Sequence, residues 1–581
     1  MNNMICHIVA MHIDIVPNRG SRPAVLLRES YREGKRVRKR TLANLSSLPM
    51  GKIELIRRVL SGDALAPVES LFDVTSSLLH GHVEAVLTAM RRLGVPALLA
   101  SRPCRERDLV MGMIASRILD AQSKLATKRW WHTTTLPDEL GIADATEDEL
   151  YSAMDWLLDR QPRIEKALAS RHLQKGGLVL YDLSSSYFEG TACPLAALGY
   201  SRDGKKGKLQ VNYGLVTDQR GCPVAVSVHS GNTNDAKTLL PQVQAIRETF
   251  GIKDLVLVGD RGMIGQKQID ELTRVPNIEW ITALKTGAIR QLLQAGHLQM
   301  GLFDERNLFE LSSPEFPRER LVACRNPQLA HLRAAKRKSL LDATSRELDK
   351  VKAMVVRGRA KALHSQDEIG VRVGKVVNKY KVAKHFRLEI GERSFKYSVD
   401  EEKVAAEAAL DGIYVIRTSL PGPRLSAEDA VRSYKLLSGV ERAFRSIKTI
   451  DLKVRPIHHH LEDRVRAHIF LCMLAYYVEW HLLDAWRELL FSDEDVQAKQ
   501  SRDPVAPALR SEDALRKVHS RVLDDGTPVH SFQTLIAELT TIVRNTCRRK
   551  GGGEADPVFS VATTPNAKQQ RALDLVAAIR V

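Results

Sequence analysis

The chain has 581 residues, more than one ordinary hydrophobic core can organise, so roughly three or four structural units are expected. Apolar residues make up 44% and charged residues 27%, which excludes a chain dominated by disorder. Lysine and arginine outnumber aspartate and glutamate by 87 to 69, and the surplus of +18 favours a polyanionic partner, although a ribosome-associated or simply basic protein fits the charge as well.

The seven cysteines are scattered and form no CxxC pair, which argues against a zinc ribbon or a disulfide framework and fits a reducing cytoplasm. Met1 to Ile15 lacks the basic-then-apolar order of a secretory signal. The most apolar later stretch, Ile469 to Leu483, is short and carries Glu479 and His481; it is expected to be a core helix, not a membrane span.

In chain order, Ala24 to Tyr31 and Lys35 to Thr41 predict two strands joined by a turn at Glu33-Gly34, a basic β-hairpin unit over 1–50. Its return strand carries Lys35, Arg36, Arg38, Lys39 and Arg40, either a solvated edge or a ribbon that grips phosphates. From Gly51 to about residue 174 the pattern is helical: Val83, Val86, Leu87 and Met90 recur at helical spacing, as do Leu109, Met113, Ile114 and Ile118. Arg91, Arg92, Arg102, Arg105 and Arg107 at its turns would let this module dock on duplex DNA.

An α/β pattern follows over 175–285. Strands are expected at Leu178–Leu183, Leu209–Val216, Val224–Val228, Leu255–Val258 and Trp280–Leu284, with Asp235 as the N-cap of one helix and a second helix at Gln266–Leu272. Residues 286–423 change texture, with a charged helix at Lys336–Met354 and strand-like runs at Phe386–Ile390, Ser394–Tyr397 and Gly412–Thr418, and so suggest an inserted subdomain. After Pro421-Gly422-Pro423, Ser426 and Asp429 open a helical segment over 424–490. The region 491–581 is more polar and basic; Gly551-Gly552-Gly553 in it has the composition of a flexible linker, with a short helix beyond.

Asp182 and Asp260 each follow an apolar run, in LVLYDL and LVLVGDRG. A carboxylate at the end of a buried strand points into the crevice where such sheets bind ligands, and a small set of hard oxygen donors suits Mg²⁺. Later, Tyr434, Glu441 and Lys448 recur every seven residues, with Arg445 four after Glu441, which stacks them on one helical face. Ser184-Ser185-Ser186 has no matching His/Asp arrangement, His458-His459-His460 reads as a solvated or phosphate-near loop, and Asp203 to Lys208 reads as a basic turn.

These motifs resemble the DDE-type transposases of bacterial insertion sequences. The resemblance rests on YDLSSSYFEG around Asp182, VHSGNTNDAKT from Val228, GDRGM around Asp260, and a Tyr, two residues, Arg, three residues, Glu, six residues, Lys signature. Tyr434, Glu441 and Lys448 fall on that spacing, but Leu437 occupies the arginine position. The strand order also resembles the ribonuclease-H-like fold. The resemblance implies an α/β protein whose ribonuclease-H-like catalytic core is split by the insertion and preceded by the hairpin unit and the helical module.

It further implies that Asp182, Asp260 and Glu441 bind two Mg²⁺ (or Mn²⁺) ions, with Tyr434, Lys448, Arg445 and Arg261 contacting DNA. Double-stranded DNA would be the partner, at terminal inverted repeats and at a target, and a homodimer would hold two ends together in the bacterial cytoplasm, at the nucleoid. Neither a membrane nor a nucleotide cofactor is implied. A transposase-derived DNA-binding protein that no longer cuts is the alternative, as is another ribonuclease-H-like nuclease.

Overall fold

The computed structural model describes residues 8–63, 71–303, 306–356, 363–493, 495, 502–506, 509–550, 553 and 556–580. Gly551 and Gly552 of the expected linker lie outside these residues. The chain divides into two units, Met1–Ser77 with Arg544–Ala562, and Leu78–Val543 with Thr563–Val581.

In the first unit, the expected hairpin is a three-stranded antiparallel sheet of β1 (Ile8–Asn18), β2 (Ser21–Glu33) and β3 (Arg36–Asn44), with β2 central. Gly34, at a positive φ of 62°, makes the β2–β3 turn. The basic edge strand β3 is exposed along its length, and part of its charge is balanced within the sheet. Lys39 bonds Asp14 at 3.0 Å, Arg38 bonds Glu33 at 2.6 Å and Arg40 bonds Glu29 at 2.8 Å. A helix, Met50–Leu60, follows. The next segment departs from the expected helical pattern: β4 (Phe72–Leu79) is a strand, paired in a second three-stranded sheet with strands from near the C-terminus.

The second unit is built on an eight-stranded sheet. Its strands in chain order are β5 (Leu178–Tyr187), β6 (Gln210–Thr217), β7 (Pro223–Ser230), β8 (Leu255–Val258), β9 (Ile278–Ala283), β10 (Leu308–Leu311), β11 (Arg320–Arg325) and, after a β12 (Phe386–Gly391) and β13 (Ser394–Val399) hairpin, β14 (Ile413–Thr418). Their spatial order is β10-β11-β14-β9-β8-β5-β6-β7. Within it, β5, β6 and β7 form an antiparallel meander, and β5-β8-β9 run parallel. That is the ribonuclease-H-like strand order expected from the sequence.

The insertion is therefore only partly a separate body. Its strands β10, β11 and β14 extend the main sheet beyond β9, because β14 pairs with β9 through Ile416↔Ala283 and Thr418↔Ile281. What stands apart is the helix Pro327–Val356, the helix Gln366–Tyr380 and the β12–β13 hairpin, which close a small core around Leu348, Ile369, Val373 and Phe395.

Helices cover the sheet. The helix Glu462–Ala485 is buried nearly throughout and packs on β7 and on the helices Arg105–Leu119 and Glu147–Asp159. That burial explains the apolar run at Ile469–Leu483. Among the described residues no helix is long and apolar enough to cross a membrane. Arg91, Arg105 and Arg107, expected at a DNA surface, bond carboxylates of the helical layer itself: Glu139, Asp144 with Glu149, and Asp108.

Candidate active site

Asp182 lies in the middle of β5, not at its end. Beyond it, Ser184, Ser185 and Ser186 continue the antiparallel ladder with β6, and Ser186 Oγ shares a 2.8 Å hydrogen bond with the Tyr213 hydroxyl. On the other side the parallel partner stops sooner: Leu180 pairs with Val258, the last residue of β8. Two residues farther along β5 stands Asp182, and two residues past the end of β8 stands Asp260. The chain leaving β8 thus carries Asp260 close enough to β5 for its charge to act on the Asp182 carboxyl.

The turn after β8 fixes Asp260. Its carbonyl accepts the N–H groups of Met263 and Ile264, both at 2.9 Å, and the side chains of those two residues are buried. A Cβ at Gly259 would meet Ile264 Cδ1 at 2.8 Å, so a larger residue there would have to displace that buried side chain.

The third carboxylate comes from the helix Leu437–Arg445, which follows the helix Ala427–Lys435 after a break at Leu436. Val440, Ala443 and Phe444, at i, i+3 and i+4, are buried as the helix packs on β5, and the Phe444 ring stands 5.8 Å from that of Tyr213. This docking leaves Glu441 and Arg445 exposed. Ser426 caps the preceding helix, accepting the Asp429 N–H at 3.1 Å as its sequence predicted.

The carboxylates act on one another. Burial raises the Asp182 carboxyl to about 7, and the negative charges of Asp260 and Glu441 push in the same direction. The Leu183 N–H, donating at 2.8 Å, and the Arg202 guanidinium oppose the rise. Tyr434 donates its hydroxyl to Asp260 Oδ1 at 3.2 Å; burial and that neighbouring charge raise its own pKa, while Arg261 lowers it.

Lys448 is placed differently from expectation. It falls in a π-helical turn, Ser446–Ile450, whose extra residue breaks the seven-residue stacking. The side chain is buried, with Nζ 3.2 Å from Asp203 Oδ1. Asp203 also accepts the Tyr187 N–H at 3.1 Å and pairs with Arg455. The first residue of the apparent basic turn is thus a buried anchor between β5 and the glutamate segment. Arg202, beside it, was not singled out in the sequence; it bonds Asp235 at 2.5 Å. Asp235 in turn is not the N-cap but the first helical residue, and Asn234 caps the helix by accepting the Ala236 N–H at 3.0 Å.

Residues 179–478, more than half of the chain, match the family model described as the transposase DDE domain. The chain belongs to the DDE transposases. Residues 13–66 of this transposase also match the N-terminal domain of IS1634 family transposases, which places it among insertion-sequence enzymes. No curated protein matches it. Among solved structures, a piggyBac transposase synaptic complex with hairpin DNA aligns over 79% of this chain and 77% of that one, at 8% identity and a TM-score of 0.33, a likeness too remote to transfer residue roles.

The contact between Tyr434 and Asp260 gives the transposase a testable feature. Tyr434→Phe removes one hydrogen bond to a charged group, worth about 1.5–3 kcal/mol. The expected result is a DNA-cleavage rate lowered about tenfold or more, with the melting temperature lowered by only a few degrees. Single-turnover cleavage beside a thermal melt checks it; a wild-type rate would mean that the hydroxyl does not position Asp260.

Proposed function

We propose that Asp182, Asp260 and Glu441 hold a pair of Mg²⁺ (or Mn²⁺) ions, and that the transposase cuts double-stranded DNA at the terminal inverted repeats of its element and joins the freed 3′-hydroxyl to target DNA. The observation that supports this most directly is that the charges of Asp260 and Glu441 are both felt at Asp182, on the strand beside the end of β8. The donor set fits the ions: all the ligands are hard carboxylate oxygens, and the raised proton affinity of Asp182 is what a cation would relieve. When bound, such a pair activates the attacking oxygen and stabilises the leaving one in an in-line displacement.

The protein's own groups orient the rest. Tyr434 holds one oxygen of Asp260, and Arg202, itself held by Asp235, sets positive charge beside Asp182. The exposed Arg261 and Arg445 are assigned to backbone phosphates. Lys448, bound to Asp203, is assigned to keeping the glutamate segment against β5. In the helical layer, the exposed Arg92 and Arg102 are assigned to docking the duplex. Joining needs two element ends in one complex, so the working form is a homodimer.

The test is a duplex ending in the inverted repeats that flank the gene. With Mg²⁺ it should be nicked, and with added target it should be joined; EDTA should stop both steps. Binding without nicking would instead mark a DNA-binding protein that no longer cuts. Cutting of junctions or hybrids whatever their end sequence would mark another kind of nuclease. DNA affinity is expected to fall steeply with salt, and Arg261→Ala or Arg445→Ala should each lower the slope of log K against log salt by about one. A slope unchanged in both variants would remove these two residues from the interface.

A further inference from the structure

In the second unit, the loop after the glutamate segment closes over a cavity of about 350 Å³. Arg117, Lys124 and His468, all buried, form its floor, while the exposed Lys453 and His458 stand at its mouth, and none of the residues that line it is acidic. Arg455, also in the wall, has its charge met by Asp203. The two floor cations differ from it. Arg117 is 7% exposed and its guanidinium reaches only the Leu452 carbonyl, at 3.5 Å; Lys124 is 6% exposed. Neither is paired with a carboxylate among the described residues.

A buried charge without a counter-charge is costly, and folded proteins keep one where something pairs with it. The neighbouring groups register the same excess. Burial and the charge of Arg117 draw the Lys124 ammonium down to about 7, and burial with the charges of Lys124 and Arg117 holds His459 down to about 3. At the floor, His468 engages the Val454 carbonyl through Nε2 at 3.1 Å, which leaves its buried Nδ1 without a partner. That contact makes Nε2 the donor, so the ring is held in one tautomer beside the two cations. The helix Lys124–Trp131 also begins at this wall, its first N–H groups adding positive potential.

We propose that this cavity is an oxyanion site that takes a phosphate group, with Arg117 and Lys124 as its charged donors. The group can come from a phosphodiester of bound DNA or from free phosphate, and the chemistry of recognition is the same. The site is separate from the three carboxylates and does not depend on their metal-binding role.

The test uses the full chain, with inorganic phosphate as the probe. Thermal unfolding in phosphate, against chloride at matched ionic strength, should show a melting temperature that climbs with phosphate and saturates. Lys124→Met should melt higher than wild type in chloride, since a buried cation is gone, and should lose the response to phosphate. If DNA supplies the group, the same variant should also lower the salt slope of DNA binding by about one. If free phosphate supplies it, DNA binding should match wild type, and phosphate should still stabilise the DNA-bound protein. Should Lys124→Met fail to fold, His458→Ala at the mouth should weaken the phosphate response. Equal melting of wild type in phosphate and chloride, with no change in the DNA salt slope of whichever variant folds, would overturn the proposal.

Discussion

Asp260→Asn is expected to abolish both DNA cleavage and joining while leaving DNA binding within a fewfold of wild type. The substitution keeps shape and volume and removes one of three charges that surround the crevice. The amide oxygen of the new side chain would still accept from Tyr434, so the local turn, fixed by the Asp260 carbonyl and by buried Met263 and Ile264, has no reason to move. What is lost is charge. Stabilisation of developing charge by fixed groups contributes heavily to catalysis, and removal of one such group costs about a hundredfold to a thousandfold. If Asp260 is one of the carboxylates that would hold the ions, as proposed above, its loss should exceed that and take the rate below detection. Cleavage of an end-containing duplex, beside a mobility-shift titration, reads both quantities. Cleavage within tenfold of wild type would remove Asp260 from the site.

Much of the catalytic core was legible because its elements announce themselves locally. Leu255–Val258 is four consecutive apolar residues between Asp254 and Gly259, and its shortness and flanking turn residues favour a strand buried on both faces over a helix. Both candidate aspartates could be picked from such runs. The segments that were missed lack that signal. β1 and β4 carry only short alternations, Met11 to Ile15 and Phe72 to Thr75, with much of each strand exposed, and β4 is held by strands contributed from the far end of the chain. β10, β11 and β14 were grouped with the insertion because sequence distance hides which sheet edge a strand joins. In the site, Asp182 looked terminal because apolar character ends there, yet the serines after it are buried and still pair with β6. Lys448 looked like a surface contact because a seven-residue period assumes an unbroken α-helix, and a π turn has no sequence mark strong enough to foresee. Arg202 and Asp203 owe their roles to partners far along the chain, Asp235, Lys448 and Arg455, which no local pattern joins.

That last cluster carries the second large effect, and it concerns stability. Asp203→Ala should destabilise the catalytic unit by about 3–5 kcal/mol, the usual cost of leaving a buried charge without its partner. The carboxylate of Asp203 is 1% exposed and faces Lys448, 10% exposed, and Arg455, 21% exposed. It also satisfies the Tyr187 N–H at the end of β5. Truncation strands all three donors at once. The neighbouring segment carries Glu441, so cleavage should fall as well, even though Asp203 touches no reacting atom. Lys448→Met offers the control that separates charge from packing. In the double variant one stranded cation is gone, and part of the lost stability should return, whereas independent effects would simply add. Urea denaturation of the wild type, the two single variants and the double variant measures the coupling. If Asp203→Ala lies within about 1 kcal/mol of wild type, the cost of an average point substitution, the buried pair does not hold the glutamate segment in place. A double variant less stable than Asp203→Ala alone would show instead that Lys448 stabilises the segment by packing its carbon chain.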